Sequence, residues 1–248
     1  MSHRVACRIT GFTSCLALGL ALVAGLPQQS SSEDKKPAGG TEKSAQPAAP
    51  KPSVPLPVYR PPSIGQPSRT VGGGTRGPGE GFPSVYVLVP DHPGRTTAAQ
   101  PTLFWYVDNV PPAGSKVRFT LIDEKSDDPV VSAELPTPTR AGIYSINLAD
   151  HHASLELNKE YEWSVALAVN PKDAAQDIVA SGFIVRVPPV EKTTSGDASA
   201  VHRLAEQGLW YDALAEADGE MKTRPADASA MRSALLRQVG LDAVADKL

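Results

Sequence analysis

The spacing of apolar positions changes twice along this chain. Before residue 81 large apolar side chains are sparse once an initial run ends. Between residues 82 and 188 they recur at every second position, and from residue 197 onward they follow helical spacing. The stretch that organises the rest is Pro101-Thr102-Leu103-Phe104-Trp105-Tyr106-Val107-Asp108. β-Branched and aromatic residues dominate it and a proline precedes it, which is the signature of a strand. Neighbouring side chains of a strand point to opposite faces, so Leu103, Trp105 and Val107 share one face and Phe104 and Tyr106 the other. Both faces are apolar, which predicts a central strand covered on both sides.

Six further segments carry the same period. They are Ser84–Val89, Lys116–Asp123, Pro129–Glu134, Ile143–Leu148, Glu160–Val169 and Asp177–Val187. Pro129 places the fourth strand of the series at an edge, where a missing N–H does no harm. In Glu160–Val169 the residues Tyr161, Trp163, Val165, Leu167 and Val169 face inward; in Asp177–Val187 the pattern assigns Val179, Phe183, Val185 and Val187 to the core. Turn-rich segments such as 108–115 and 123–128 separate the strands. The fold expected for residues 81–190 is therefore mainly β, an antiparallel Ig-like β-sandwich of about seven strands.

Residues 197–248 predict a small C-terminal α-helical segment, with helices over Ala198–Gly208, Trp210–Lys222 and Asp227–Val239. Leu204, Leu209, Ala213, Leu214 and Ala217 form one apolar stripe. Ser195 or Asp197 is expected to cap the first helix and Asp227 the third. The run Leu204 to Pro225 is similar to one tetratricopeptide-type helical hairpin without a second copy. Such repeats stack in threes or more, so a pair docked on the β domain is expected, covering the outer face of the Trp105 strand.

The amino terminus carries a different pattern. Arg4 and Arg8 precede an apolar run from about Leu16 to Leu26, and the small residues Ala24 and Gly25 stand before Pro27. Residues 1–26 read as a secretory signal peptide. The alternative is an uncleaved membrane anchor, although the run is short of the roughly 20 apolar residues a span needs. Cys7 and Cys15 both lie in this segment, so the processed chain has no thiol and no disulfide. Residues 27–80 hold all ten prolines that precede residue 69, out of 24 in the chain, and read as a disordered Pro/Gly-rich linker. The run Gly72–Gly79 lacks the Gly-Lys-Ser/Thr ending of a phosphate loop.

Net charge is −3 over 248 residues, so nothing points to nucleic acid, and membrane contact is expected only through an uncleaved signal segment. His151-His152, with Asp150 and Glu156 nearby, is the best metal candidate. Adjacent side chains diverge and no helical His spacing exists, so no metal or cofactor is implied. Asp123, Glu124, Asp127 and Asp128 cluster in a turn, where such residues are ordinary turn chemistry. No Gly-x-Ser-x-Gly elbow is present.

Taken in order, Thr75-Arg76-Gly77, Leu88-Val89-Pro90, Pro101 to Val107, Glu160-Tyr161-Glu162-Trp163, Asn170-Pro171 and Gly208-Leu209-Trp210-Tyr211-Asp212-Ala213-Leu214 form a series. It resembles the Domain of Unknown Function 928 family of exported bacterial proteins over about residues 70–245. The resemblance implies export, a β-rich body and a helical tail, and no established activity or site residues. Family members often carry a cysteine pair where this chain has Pro78 and Val169, so that bridge is absent here.

Two functional expectations follow. The first is a non-enzymatic envelope module in the periplasm or cell envelope. It would bind a protein or wall polymer, and Phe104, Trp105 and Tyr106 are the candidate binding residues if one aromatic face is open. The second is an envelope hydrolase with an acid/histidine site assembled from distant residues.

Overall fold

The computed structural model describes residues 54–62, 81–126, 129–170, 172–189 and 199–248, all within one compact unit, Ala49–Leu248. The signal segment, the glycine-rich run 72–79, the candidate caps Ser195 and Asp197, and Asp127 and Asp128 lie outside the described residues.

The body is mostly β. Its strands are β1 (Val85–Val87), β2 (Gly94–Thr96), β3 (Thr102–Val107), β4 (Lys116–Asp123), β5 (Pro129–Leu135), β6 (Gly142–Asn147), β7 (Glu160–Ala168) and β8 (Ile178–Arg186). They form a three-stranded sheet in the order β1-β3-β6 and a five-stranded sheet in the order β2-β8-β7-β4-β5. β3 is central in its sheet, and Leu103, Phe104, Trp105, Tyr106 and Val107 are all buried, as expected of a strand apolar on both faces. β5 is an edge strand that begins at Pro129. The alternation of β7 places Tyr161, Trp163, Val165 and Leu167 in the core, each 2% exposed or less.

Three features depart from the expectation. There is an eighth strand among the described residues, and it pairs in parallel: β2 lies alongside β8 with Gly94 opposite Ile184. The three residues Gly94-Arg95-Thr96 carry no apolar alternation, and their strand character comes from the free edge of β8. The inward set of β8 is also the opposite of the one expected. Trp163 pairs with Gly182, Val165 with Ala180 and Leu167 with Ile178, so register against β7 turns Ile178, Ala180 and Ile184 inward while Val179 stays 38% exposed. Phe183, on the other face, is nevertheless buried.

The third departure lies in the proline-rich linker. Residues 54–62 are not a free tether; they lie against the helical tail, and Tyr59 joins the hydrophobic core at 6% exposure.

The tail comprises α1 (Ala200–Glu206), α2 (Trp210–Gly219), α3 (Pro225–Gln238) and α4 (Asp242–Ala245). α3 starts earlier than expected. Pro225 occupies its first turn, where a missing N–H is free of cost, so Asp227 lies inside that turn and is not the cap. α4 follows Gly240, which has φ 76°, and is too short to leave a period in the sequence. α1 and α2 pack on each other, and α2 packs on β2 and β3. Among the described residues no helix is long and apolar enough to cross a membrane.

Candidate functional site

The run from Gly208 to Asp212 joins the helical tail to the β body. Gly208 ends α1 with φ 71°, a conformation that favours glycine, and reverses the chain into α2. The next turn aims three side chains at the sheets. Trp210 donates its indole N–H to the carbonyl of Leu88 at 2.9 Å. Tyr211 O–H accepts from Trp163 Nε1 at 2.8 Å and donates to the Phe183 carbonyl at 2.9 Å. Burial pushes this phenol well above its ordinary range, so it stays a neutral donor. Asp212 accepts from the Thr96 hydroxyl, from Thr97 N–H at 2.9 Å and from the Thr97 hydroxyl at 2.7 Å. Its place in the first turn of α2 also suits a carboxylate, because the helix N-terminus is positive. Gly94 is small for a reason given by this lock: a Cβ there would sit 2.6 Å from the Tyr211 ring.

On the tail lies a groove that holds residues 54–62. The Gln238 carboxamide reads the backbone of this strap twice: its oxygen accepts from Tyr59 N–H at 2.8 Å and its nitrogen donates to the Pro57 carbonyl at 2.9 Å. His202 Nε2 donates to the Pro55 carbonyl at 2.8 Å, which leaves Nδ1 to accept from the Ser199 hydroxyl at 2.7 Å. Arg60 N–H reaches the Ala205 carbonyl, at the open end of α1, at 3.0 Å. The anchor is Tyr59. Its ring meets Trp210 edge-on with centroids 5.0 Å apart and lies parallel to His92 at 6.0 Å. His92 Nδ1 donates to the Pro93 carbonyl, so Nε2 is free to accept from Tyr59 O–H at 3.4 Å, a long contact. Burial raises the Tyr59 phenol pKa. Pro57 and Tyr59 face in, whereas Leu56 and Val58 are 47% and 57% exposed. Beside the groove, Tyr86, Val89, Asp91, Val239 to Leu241, Ala243 and Val244 line a cavity of about 200 Å³, smaller than a typical small-molecule site.

Sequence reasoning singled out other residues. Phe104, Trp105 and Tyr106 are 2%, 2% and 5% exposed, so none presents an open aromatic face; their burial supports the packing reading. His151 ends a 3-10 turn and its ring meets Phe119 at 5.7 Å, while His152 takes a left-handed conformation with φ 53°. No group of three or more metal-ligating side chains occurs among the described residues. Asp123 pairs with Lys159 at 2.9 Å, and that hydrogen bond, helped by Lys125 N–H, holds its carboxyl below the usual range.

Residues 71–248 match the family described as Domain of Unknown Function (DUF928). The chain belongs to that family. No curated protein matches it. Three of the DUF928 stretches named above meet in one place: from the Gly208–Leu214 run Trp210 donates to the Leu88 carbonyl, and Tyr211 of the same run accepts from Trp163. The role of that run in this chain is to fasten the tail to the body. The strap precedes the DUF928 match, whereas Gln238, His202, Ala205, Trp210 and His92 lie inside it. Sequence reasoning missed the strap. Its signals were Tyr59 among prolines and the Pro-x-Tyr alternation of 57 and 59.

Proposed function

We propose that the protein is an exported, non-enzymatic module of the cell envelope whose β body, an Ig-like sandwich of the two sheets, carries a helical tail that binds an extended partner. The observation that carries this reading is the groove on the tail, where side chains of α1 and α3 bond to the backbone of an extended proline-rich segment. Backbone bonding with alternate side chains in pockets is how proteins recognise extended polypeptides in general. Export is supported by Arg4, Arg8 and the apolar run to Leu26. The chemistry-bearing residues Trp163, Trp210, Tyr211 and Asp212 are occupied in fastening tail to body, a structural use.

The reading is tested in the native envelope. A photo-crosslinking residue placed at position 206 or 237, both exposed and next to residues that line the groove, and at the exposed Arg118 of the five-stranded sheet should give a discrete envelope adduct at the tail positions and none at 118. The processed chain should fractionate with the periplasm. A chain retained in the cytoplasm, or free of adducts at every position, would contradict the proposal.

A further inference from the structure

We infer that the groove formed by the end of α1, the start of α2 and the end of α3 is a recognition site for an extended proline-rich polypeptide, and that residues 54–62 are its releasable ligand. The inference rests on the binding-module reading above and names its site and ligand class. Four observations carry it. The strap lies outside the stretch that matches the family, while the residues that hold it lie inside. Its contacts are mostly to backbone: the carbonyls of Pro55 and Pro57 and the N–H groups of Tyr59 and Arg60. Pro57 and Tyr59 are buried and Val54 is half-buried against the core, while the apolar Leu56 and Val58 remain exposed, the alternation of an extended peptide laid in a groove. The groove is also cut to admit a backbone: a Cβ on Gly208 would lie 2.8 Å from the Arg60 carbonyl oxygen.

The chemistry of the ligand follows. Proline holds the chain near the extended conformation it has when bound, so little ordering remains to be done on binding. The aromatic two residues after the proline fills the space between Trp210 and His92. Gln238 spans the two backbone groups between them, a pair that any extended peptide offers. The strap is joined covalently to the body through residues 63–80. A tether of that kind gives an effective concentration in the millimolar range, so a free peptide at micromolar concentration competes poorly until the tethered copy is weakened.

The test uses the full chain as wild type, Tyr59→Ala and Tyr59→Ala/Gln238→Ala, with a fluorescein-labelled peptide of residues 54–62 read by anisotropy. Thermal melts followed by far-UV circular dichroism accompany each protein. Tyr59→Ala should keep a cooperative melt and bind the peptide saturably. Wild type and the double variant should bind at least about tenfold more weakly, the first because the site is filled and the second because the clamp is gone. A composition-matched scrambled peptide should not bind. Four results would overturn the proposal: no saturable binding to folded Tyr59→Ala, binding indifferent to Gln238→Ala, equal binding of the scrambled peptide, or loss of the cooperative melt in Tyr59→Ala. The assay uses purified protein and one known peptide, so it can fail while the envelope crosslinking succeeds, and the reverse.

Discussion

Removing one oxygen from the Tyr211 side chain tests how the tail is fastened. Tyr211 is 1% exposed, and its hydroxyl is the only group bridging Trp163 Nε1 and the Phe183 carbonyl among the described residues. Tyr211→Phe keeps the ring and its packing. It deletes two buried hydrogen bonds, each worth about 1 kcal/mol net, and leaves the Trp163 indole N–H without a partner, at about 1–3 kcal/mol for an orphaned group. The expected loss is about 2–4 kcal/mol, or a fall in Tm of roughly 5–15 °C for a folded unit of this size. Guanidinium unfolding followed by far-UV circular dichroism gives the value. The partner variant sharpens it. In a Trp163→Phe background the indole N–H is already gone, so the same Tyr211→Phe change should cost about 1–2 kcal/mol less. A loss below about 0.5 kcal/mol, or an equal cost in both backgrounds, would refute the bridge.

Other expectations can be checked by the same unfolding assay. Gly94→Ala should destabilise by about 1–3 kcal/mol because its Cβ meets the Tyr211 ring at 2.6 Å, whereas Gly219→Ala, with nothing within 4 Å and a helical position, should stabilise by about 0.4–1 kcal/mol. Asp212→Ala removes the acceptor of three hydrogen bonds from Thr96 and Thr97 and should cost about 2–3 kcal/mol. The Asp123 carboxyl is held below its ordinary value of 3.8 in the folded state, chiefly by its hydrogen bond from Lys159. Its stabilisation is therefore present above about pH 4 and is lost as pH falls through the lowered value. Asp123→Asn should flatten the fall of stability with pH in that acid range and leave the slope around neutral pH unchanged.

What could be read in the sequence, and what could not, follows from where the determining contacts lie. β3 was legible because burial of both faces makes Leu103 to Val107 a continuous apolar run, and β7 because burial of one face imposes a period of two on Tyr161 to Leu167. β8 was not, because apolar residues stand at both parities, Ile178, Ala180 and Ile184 against Val179, Phe183 and Val185, and only its pairing with β7 chooses between them. β2 escaped because three residues borrow their strand character from a neighbour's edge. The candidate site was the least legible part. Trp210, Tyr211 and Asp212 stood out as a run, but the partner of Trp210 is 122 positions away and that of Asp212 is 116. The proline-rich composition of the linker describes a chain that cannot form a core alone; it carries no record of the groove that Gln238 and Trp210 provide for it.

The most direct test of the docked strap, on which the account turns, is amide hydrogen exchange on the intact chain. Tyr59 N–H and Arg60 N–H are held by Gln238 and the Ala205 carbonyl. The account predicts that these two amides exchange slowly at neutral pH, that Gln238→Ala releases the Tyr59 amide by about tenfold or more, and that the amides of β7 stay protected in both proteins. Exchange of the Tyr59 and Arg60 amides at the rate of a free peptide in the wild-type chain would contradict it.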